Sequence, residues 1–258
     1  MSEKILIQPM HDGQVVSLAL NAPKANVLDA EMMTALQSAL DDLGKQPDLK
    51  LIQITGAGDH FCFGASVGEH VKEKAPDMLK QFHNLFYTMA DIAIPSAAVI
   101  SGQCLGGGLE LALMCNFMFV DRSANLGQPE IQLGVFAPPA SLILPMKLGQ
   151  SRADDLLLTG RAISGAEAKE IGLAAEVYDD RESMIAGVEA WVKKQILPKS
   201  AASLRFAVKA ARMEFNITLK DKLRKQEQLY LEGLMATQDA NEGIQSFLER
   251  RKPEWRNK

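Results

Sequence analysis

Apolar side chains recur at two different spacings along the first half of this chain. In residues 14–20, Val16, Leu18 and Leu20 occupy every second position, which predicts a strand with one buried face. In residues 77–92 the apolar positions are instead three and four apart, which predicts an amphipathic helix. The two spacings alternate over about 120 residues, and this alternation predicts an α/β fold.

The remaining elements follow from the same patterns. Further strands are predicted at 49–56, 94–102 and 116–121, and further helices after Asp29 as N-cap and within 105–115. From Lys199 onward the chain has only long helical patterns, at 203–215, 219–236 and 239–250. We therefore expect a core of residues 1–198 that carries the site, followed by a helical region of residues 199–258.

Composition and charge exclude several classes of protein. The net charge is −4 with 23% charged residues. A nucleic-acid partner is not predicted, because binding to a phosphate backbone needs clustered positive charge. No long uninterrupted apolar stretch predicts a membrane span, and no signal peptide is expected from "MSEKILIQPM". Cys62, Cys104 and Cys115 form no C-x-x-C pair and are expected to be buried free thiols. A cytoplasmic protein is the resulting expectation.

The stretch "GASVG" at residues 64–68 matches the G-x-S-x-G pattern of a serine-hydrolase nucleophile. Such a serine needs a histidine further along the chain to activate it, and no histidine follows His83. The preceding strand also ends near Thr55, several residues before Gly64. Ser66 is therefore not expected to be a nucleophile. The four histidines are not spaced to bind a metal, so no metal site is predicted.

Two glycine-containing loops, "FGAS" at 63–66 and "LGGGLE" at 105–110, are the first candidates for chemistry. Each is expected to follow a strand and to lead into a helix, where backbone N–H groups are unpaired. One N–H from each loop could bind a single oxygen that gains negative charge. Packing alone would also explain such glycine turns, and both interpretations remain open.

Two glutamates lie within otherwise apolar stretches. Glu110 falls in "LELALMC" and Glu130 in "LGQPEIQLG". A carboxyl group among apolar residues tends to have a raised pKa, which suits general acid and base catalysis. The structural alternatives are a helix-terminus charge for Glu110 and a solvated turn residue for Glu130.

Three segments of the chain resemble the enoyl-CoA hydratase (crotonase) family. They are "FCFGASVGEH", "AVISGQCLGGGLELALMCNFMFVDRSANLGQPEIQLG" and "LLLTGRAISGAEAKEIGLAAEV". Their order and spacing agree with the family over nearly the whole chain. The resemblance implies a spiral of ββα units with a C-terminal helical oligomerisation region, assembled as a trimer or a dimer of trimers. It also implies an acyl-CoA thioester as substrate and no separate cofactor, since CoA is part of that substrate.

The resemblance also assigns roles to single residues. By position, Ala65 and Gly107 would supply the two N–H groups that stabilise an enolate. Glu110 and Glu130 match the two glutamates between which the family's hydratases hold a water molecule. Family members that catalyse other reactions often lack one of the two glutamates, so their joint presence favours hydration.

CoA binding is implied for two loops. The loop "PKAN" at 23–26 matches a family segment beside the adenine and phosphates, with Lys24 as the candidate phosphate partner and Ala25 next to it. Phe63, Ala65 and Ser66 would border the pantetheine and adenine. Lys24 could equally be a solvated loop residue.

The segment "VFAPPASLILP" at 135–145 departs from the family's common pattern of glycines, Thr and Gln. In the family this segment lines the acyl end of the substrate. "EIQLGVFAPPAS" is most similar to the cyclic dienoyl-CoA hydratases of the family. This similarity implies addition of water to cyclohexa-1,5-diene-1-carbonyl-CoA, giving 6-hydroxycyclohex-1-ene-1-carbonyl-CoA.

Three other functions compete with this hypothesis. A straight-chain enoyl-CoA hydratase would prefer crotonyl-CoA, and an enoyl-CoA isomerase would not need both glutamates. A non-catalytic relative that binds acyl-CoA or RNA is disfavoured by the glutamate pair and by the acidic pI of about 5.7.

Overall fold

Nine strands and ten α-helices make up most of the chain in a computed structural model, which describes residues 3–258. The strands are β1 Ile5–Met10, β2 Val15–Leu20, β3 Leu51–Gly56, β4 Ser96–Ile100, β5 Gln103–Leu105, β6 Phe117–Asp121, β7 Asn125–Gly127, β8 Ala162–Ser164 and β9 Glu176–Tyr178. The helices are α1 Ala30–Gly44, α2 Ala75–Ile92, α3 Gly107–Met114, α4 Pro138–Leu148, α5 Gln150–Thr159, α6 Gly165–Glu170, α7 Arg181–Trp191, α8 Ala201–Ala211, α9 Met213–Gln228 and α10 Gln238–Leu248.

The strands form two sheets. The larger sheet has the order β1-β2-β3-β4-β6-β9, and all of its neighbouring strands are parallel except the β1–β2 pair. The smaller sheet has the order β5-β7-β8, with β5 parallel to β7. Because each parallel pair needs a crossover connection, the helices between the strands cover the faces of the large sheet.

Both faces of the large sheet are buried, by different helices. Leu18 of β2 packs into the core with α1 and α2, whereas Val15 of the same strand faces the other way. Met184 and Val188 of α7 cover that second face. This arrangement confirms the predicted α/β class.

The local predictions hold for the elements with long, regular patterns. Asp29 caps α1, since its side chain accepts a hydrogen bond from the Met32 N–H at 2.8 Å. The predicted helix at 203–215 is interrupted at Arg212, which separates α8 from α9. The prediction that "FGAS" leads into an α-helix was also wrong, because it leads into a three-residue 3₁₀ turn, Val67–Glu69.

The C-terminal helices share the core of the rest of the chain. Leu219 and Leu223 of α9 and Ile244 of α10 belong to the same buried cluster as the side chains of β2, α1 and α2. At Gly243 the α10 helix lies so close to the turn after Pro129 that an added Cβ would be 2.0 Å from the Leu133 carbonyl oxygen. Residues 199–258 therefore help to position that turn.

No helix in the described part of the chain is both long and apolar enough to cross a membrane. The three cysteines are buried and unpaired, as the sequence predicts.

Candidate active site

The loops that the sequence identifies as candidates for chemistry line a single cavity. It lies between the loop of Phe63 to Ala65, the start of α3, the turn that begins at Pro129 and the start of α4. The space that is not filled by atoms is about 680 Å³, including the open mouth. Its remaining wall is largely apolar and comes from α2 and the C-terminal helices, through Met78, Leu79, Phe82, Tyr230 and Ile244.

Two backbone amides in this cavity are close together and unpaired. Leu28 forms an isolated bridge with Ala65 that uses the carbonyl of Gly64 and the N–H of Ser66, which leaves the Ala65 N–H outside the pairing. The Gly107 N–H is in the first turn of α3, where no preceding turn supplies an acceptor. Among residues 3–258 neither N–H has a hydrogen-bond partner. A Cβ added to Gly107 would lie 3.1 Å from the Ala65 nitrogen, so glycine keeps the space between the amides open.

Glu110 is in the first turn of α3, three residues after Gly107, and only 4% of its surface is exposed. Its Oε1 accepts a hydrogen bond from the Ala140 N–H at 2.9 Å. Pro138 and Pro139 begin α4 and have no N–H, so Ala140 supplies the first donor of that helix. Burial and the nearby Glu130 charge raise the pKa of Glu110 well above its usual value, and the Ala140 bond lowers it only in part.

Glu130 lies on the 3₁₀ turn Pro129–Leu133 and faces the same cavity. An added Cβ at Gly106 would lie 2.7 Å from Glu130 Oε1, so a side chain there would displace the carboxylate. Gly106 also has a φ of 51°, which glycine adopts without strain. Burial raises the pKa of Glu130 to about 7. Glu130 is half-buried in the cavity wall, which disfavours the structural alternative of a solvated turn residue.

Gln128 holds the Glu130 carboxylate. With its amide nitrogen turned toward Glu130, the Gln128 side chain donates hydrogen bonds to Oε2 at 2.9 Å and to Oε1 at 3.1 Å. Gln128 itself is buried, with 1% of its surface exposed. Sequence reasoning missed this residue, although it lies inside the "GQPE" segment that singled out Glu130.

The other predicted site residues lie at or beyond the mouth of the cavity. Phe63 lines the cavity and is 42% exposed. Its N–H donates to the Ala25 carbonyl at 2.9 Å, which places the loop of Lys24 and Ala25 beside the mouth. Lys24 is exposed. Ser66 does not line the cavity, and its hydroxyl makes no hydrogen bond within residues 3–258.

Two polar side chains in the cavity were not anticipated. His70 lines the cavity, and its ring nitrogen Nδ1 lies 2.8 Å from the Ser66 carbonyl oxygen. Because a carbonyl oxygen can only accept a hydrogen bond, Nδ1 carries the proton and donates it. Burial lowers the pKa of His70, which favours the neutral ring. Tyr230 comes from the C-terminal region and had no sequence signal, because a Tyr on a helical apolar face is typical of a core position.

The described residues hold no group of three His, Cys, Asp or Glu side chains that could bind a metal ion. The cavity instead offers two unpaired N–H donors and two carboxyl groups with raised pKa values. Such a set could bind a carbonyl oxygen and move protons beside it.

The raised pKa of Glu130 predicts a stability change in Glu130→Gln. Between the ordinary value of 4.5 and about 7 the folded state binds this proton more tightly than the unfolded state, so the free energy of unfolding falls as the pH rises through that window. Above about pH 7 the folded state has lost this proton too, and the full cost of burying the charge lowers the free energy of unfolding. We expect Glu130→Gln to unfold a few degrees higher than the wild type at pH 8, since about 1 kcal/mol shifts Tm by roughly 2–4 °C in a chain of this size.

This gain should shrink when thermal unfolding is followed at pH 5, where Glu130 stays protonated in the folded state and only the unfolded state has begun to ionise. The exposed Glu182 supplies the control, because Glu182→Gln should change Tm little at either pH. A Glu130→Gln variant that is no more stable than the wild type at pH 8 would contradict the burial of a charged carboxylate.

Comparison with known proteins gives one consistent result. The enoyl-CoA hydratase/isomerase family model matches residues 11–258. A cyclohexa-1,5-dienecarbonyl-CoA hydratase of Thauera aromatica is 46% identical, over 96% of this chain and 95% of that protein. A probable enoyl-CoA hydratase of Mycobacterium bovis is 33% identical, over 98% of each chain.

Solved structures agree on the fold. The crystal structure of an enoyl-CoA hydratase from Mycobacterium avium subsp. paratuberculosis superimposes with a TM-score of 0.86, covering 98% of this chain and 99% of that one. The sequence identity is 22%, so this similarity concerns the fold. It confirms the crotonase-like architecture predicted for the chain.

Proposed function

This chain belongs to the enoyl-CoA hydratase/isomerase family, and we propose that it is a hydro-lyase that adds water to cyclohexa-1,5-diene-1-carbonyl-CoA. The observation that carries the proposal is the pairing of Glu110 and Glu130 in one cavity with the unpaired amides of Ala65 and Gly107. An isomerase needs to move a proton between two carbons, whereas hydration needs proton transfer at both an oxygen and a carbon. Two carboxyl groups supply both transfers.

The thioester oxygen is the group that the two amides would bind. As hydroxide adds to the carbon β to the thioester, an electron pair moves through the conjugated system onto that oxygen. Two preorganised N–H donors stabilise this charge without needing to reorganise. The free N–H groups of Ala65 and Gly107 and the short distance between their backbones support this role.

The two carboxyl groups would complete the addition. One carboxylate takes a proton from water, and the resulting hydroxide forms the new C–O bond. The other carboxyl group gives its proton to the far end of the diene, and the remaining double bond stays conjugated with the thioester. The sum is one water added, giving 6-hydroxycyclohex-1-ene-1-carbonyl-CoA. The raised pKa values of Glu110 and Glu130 support a pair that shares one proton near neutral pH.

A ring substrate is supported by the relative and by the wall of the cavity. The similar protein from Thauera aromatica is a cyclohexa-1,5-dienecarbonyl-CoA hydratase. Phe136, Ala137 and Pro138 line the cavity, and they belong to the segment in which this chain departs from the common pattern of the family. Pro138 and Pro139 restrict the backbone there, and Phe136 adds a flat apolar surface that suits a six-membered ring.

CoA would extend from the mouth of the cavity. Phe63 borders the opening, and Ala25 accepts a hydrogen bond from the Phe63 N–H at 2.9 Å. Lys24 is exposed beside them, which supports a role in binding a phosphate group. The proposal includes no separate cofactor and no metal.

Assembly into a trimer or a dimer of trimers is part of the same proposal. The C-terminal region exposes large apolar side chains, which in a monomer would face water. They are Phe206 at 71%, Met213 at 58%, Ile217 at 57%, Leu229 at 58% and Phe247 at 53% exposure. The three buried free thiols fit a reducing compartment, which supports the cytoplasm as the location.

A comparison of two substrates tests the proposed function. The purified protein would be incubated separately with cyclohexa-1,5-diene-1-carbonyl-CoA and with crotonyl-CoA, and the products would be identified by mass. We expect the cyclic diene to gain one water with a kcat/KM at least tenfold above that for crotonyl-CoA. Comparable turnover of crotonyl-CoA would instead indicate a straight-chain hydratase, and a change of double-bond position without added water would indicate an isomerase.

A further inference from the structure

One residue that lines the cavity carries a buried hydroxyl group without a hydrogen-bond partner. Tyr230 lies on the π-helical turn Leu229–Gly233, with 1% of its surface exposed. Its Oη is one of seven buried side-chain atoms without a hydrogen bond in the described residues, and it is the one whose residue lines the cavity. The other six belong to Gln37, Glu69, His83, Tyr87, Arg205 and Asn216.

The position of this hydroxyl is constrained by the ring that carries it. The Tyr230 ring packs edge to face against Phe136, with ring centroids 5.4 Å apart at an angle of 66°. Phe136 belongs to the cavity wall that we assign to the acyl group. The phenol therefore cannot turn away to find another partner without losing this contact.

The hydroxyl is suited to donate a hydrogen bond. Burial raises the pKa of Tyr230, and the charges of Glu130 and Glu110 raise it further. The phenol thus stays protonated throughout the neutral range, which excludes a role as a base.

A buried hydroxyl without a partner is unfavourable, so a bound group that pairs with it gains affinity. The proposed substrate brings few polar atoms into the cavity. In the proposed function the thioester oxygen would bind the amides of Ala65 and Gly107, which are unpaired, and the polar groups of CoA would remain near the mouth at Phe63. The oxygen that is added to the ring is the remaining polar atom.

From these contacts we propose that Tyr230 Oη donates a hydrogen bond to the oxygen that is added to, or removed from, the acyl group. This role rests on the proposed hydratase function. Tyr230 is then a third polar contact for that oxygen, beside the two carboxyl groups. It selects for ligands that carry a hydroxyl at the carbon β to the thioester.

The test compares two ligands that differ in this hydroxyl. Dissociation constants would be measured by calorimetry for 6-hydroxycyclohex-1-ene-1-carbonyl-CoA and for cyclohexanecarbonyl-CoA, which has no hydroxyl. In Tyr230→Phe we expect the constant for the hydroxylated ligand to rise about five- to tenfold, which corresponds to about 1–1.4 kcal/mol, the net contribution of one hydrogen bond. The constant for cyclohexanecarbonyl-CoA should stay within about twofold, and kcat/KM for hydration should fall about tenfold.

Tyr87→Phe is the matched control, because it also removes a buried hydroxyl without a partner, but outside the cavity. It should change neither constant. Tyr230→Phe removes an unpaired polar atom and should unfold at or above the wild-type temperature.

Equal losses for both ligands in Tyr230→Phe would assign Tyr230 to packing and overturn the proposal, and so would no loss for either. If the proposed ring substrate is wrong, the wild type will hydrate crotonyl-CoA and not the cyclic diene, and this result is distinct from a failure of the Tyr230 proposal. In that case 3-hydroxybutyryl-CoA and butyryl-CoA form the ligand pair. If the wild type hydrates no enoyl-CoA, the proposed hydratase function is wrong. A loss of affinity in Tyr230→Phe for the hydroxylated ligand alone would then still show that Tyr230 contacts the hydroxyl group.

Discussion

Glu130→Gln is expected to lower kcat for hydration by about 10²–10⁴-fold, and Glu110→Gln by a similar factor. An amide of nearly the same shape keeps the packing of each side chain, but it can neither take a proton from water nor give one to carbon. Because the two groups act on one reaction, Glu110→Gln together with Glu130→Gln should lose little more than either change alone. Steady-state kinetics with the cyclic diene would measure kcat for the two single variants and for the double variant.

Loss of the fold would not explain such a result. Glu130→Gln is expected to be more stable than the wild type at pH 8, since it removes a buried charge whose pKa is raised to about 7. Glu182→Gln, on the exposed first turn of α7, should keep wild-type kcat. If both active-site variants kept full activity, hydration by a pair of glutamates would be excluded, and an isomerase-type reaction would be favoured.

Ala65→Pro is expected to lower kcat by about 10²–10³-fold, because proline has no N–H to donate to the thioester oxygen. The change removes no hydrogen bond from the fold, since the bridge to Leu28 uses Gly64 and Ser66 and leaves the Ala65 N–H unpaired. Kinetics of hydration would be measured together with thermal unfolding, so that a loss of activity in a folded protein is identified.

Ser66→Ala is the matched control for Ala65→Pro. The Ser66 hydroxyl makes no hydrogen bond in the described residues and does not line the cavity, so this variant should keep substantial activity. A folded but inactive Ser66→Ala would revive the serine nucleophile suggested by "GASVG" and would reject the backbone of Ala65 as the functional group.

Much of this protein was predictable from local sequence. The regular apolar spacing of residues 14–20 and 77–92 predicted β2 and α2, and Asp29 predicted the start of α1. Short elements such as β5, β7 and β8 were missed, because three residues carry too little periodicity to be recognised. The 3₁₀ turn after Ser66 was predicted as a helix because glycine loops before both kinds of element look alike in sequence.

The sequence by itself determined the fold class, the family and the choice of the two glutamates as candidates, because short, contiguous patterns of residues indicate each of them. Only the tertiary structure decided what these groups can do. The Ala65 N–H is unpaired because Leu28 bonds to the residues on either side of it. The carboxyl pKa values are raised because Glu110 is buried and Glu130 is half-buried in the same cavity wall. Tyr230 reaches the same cavity only because the C-terminal helices share its core. Pairing and burial depend on contacts between distant parts of the chain, which a local pattern does not contain.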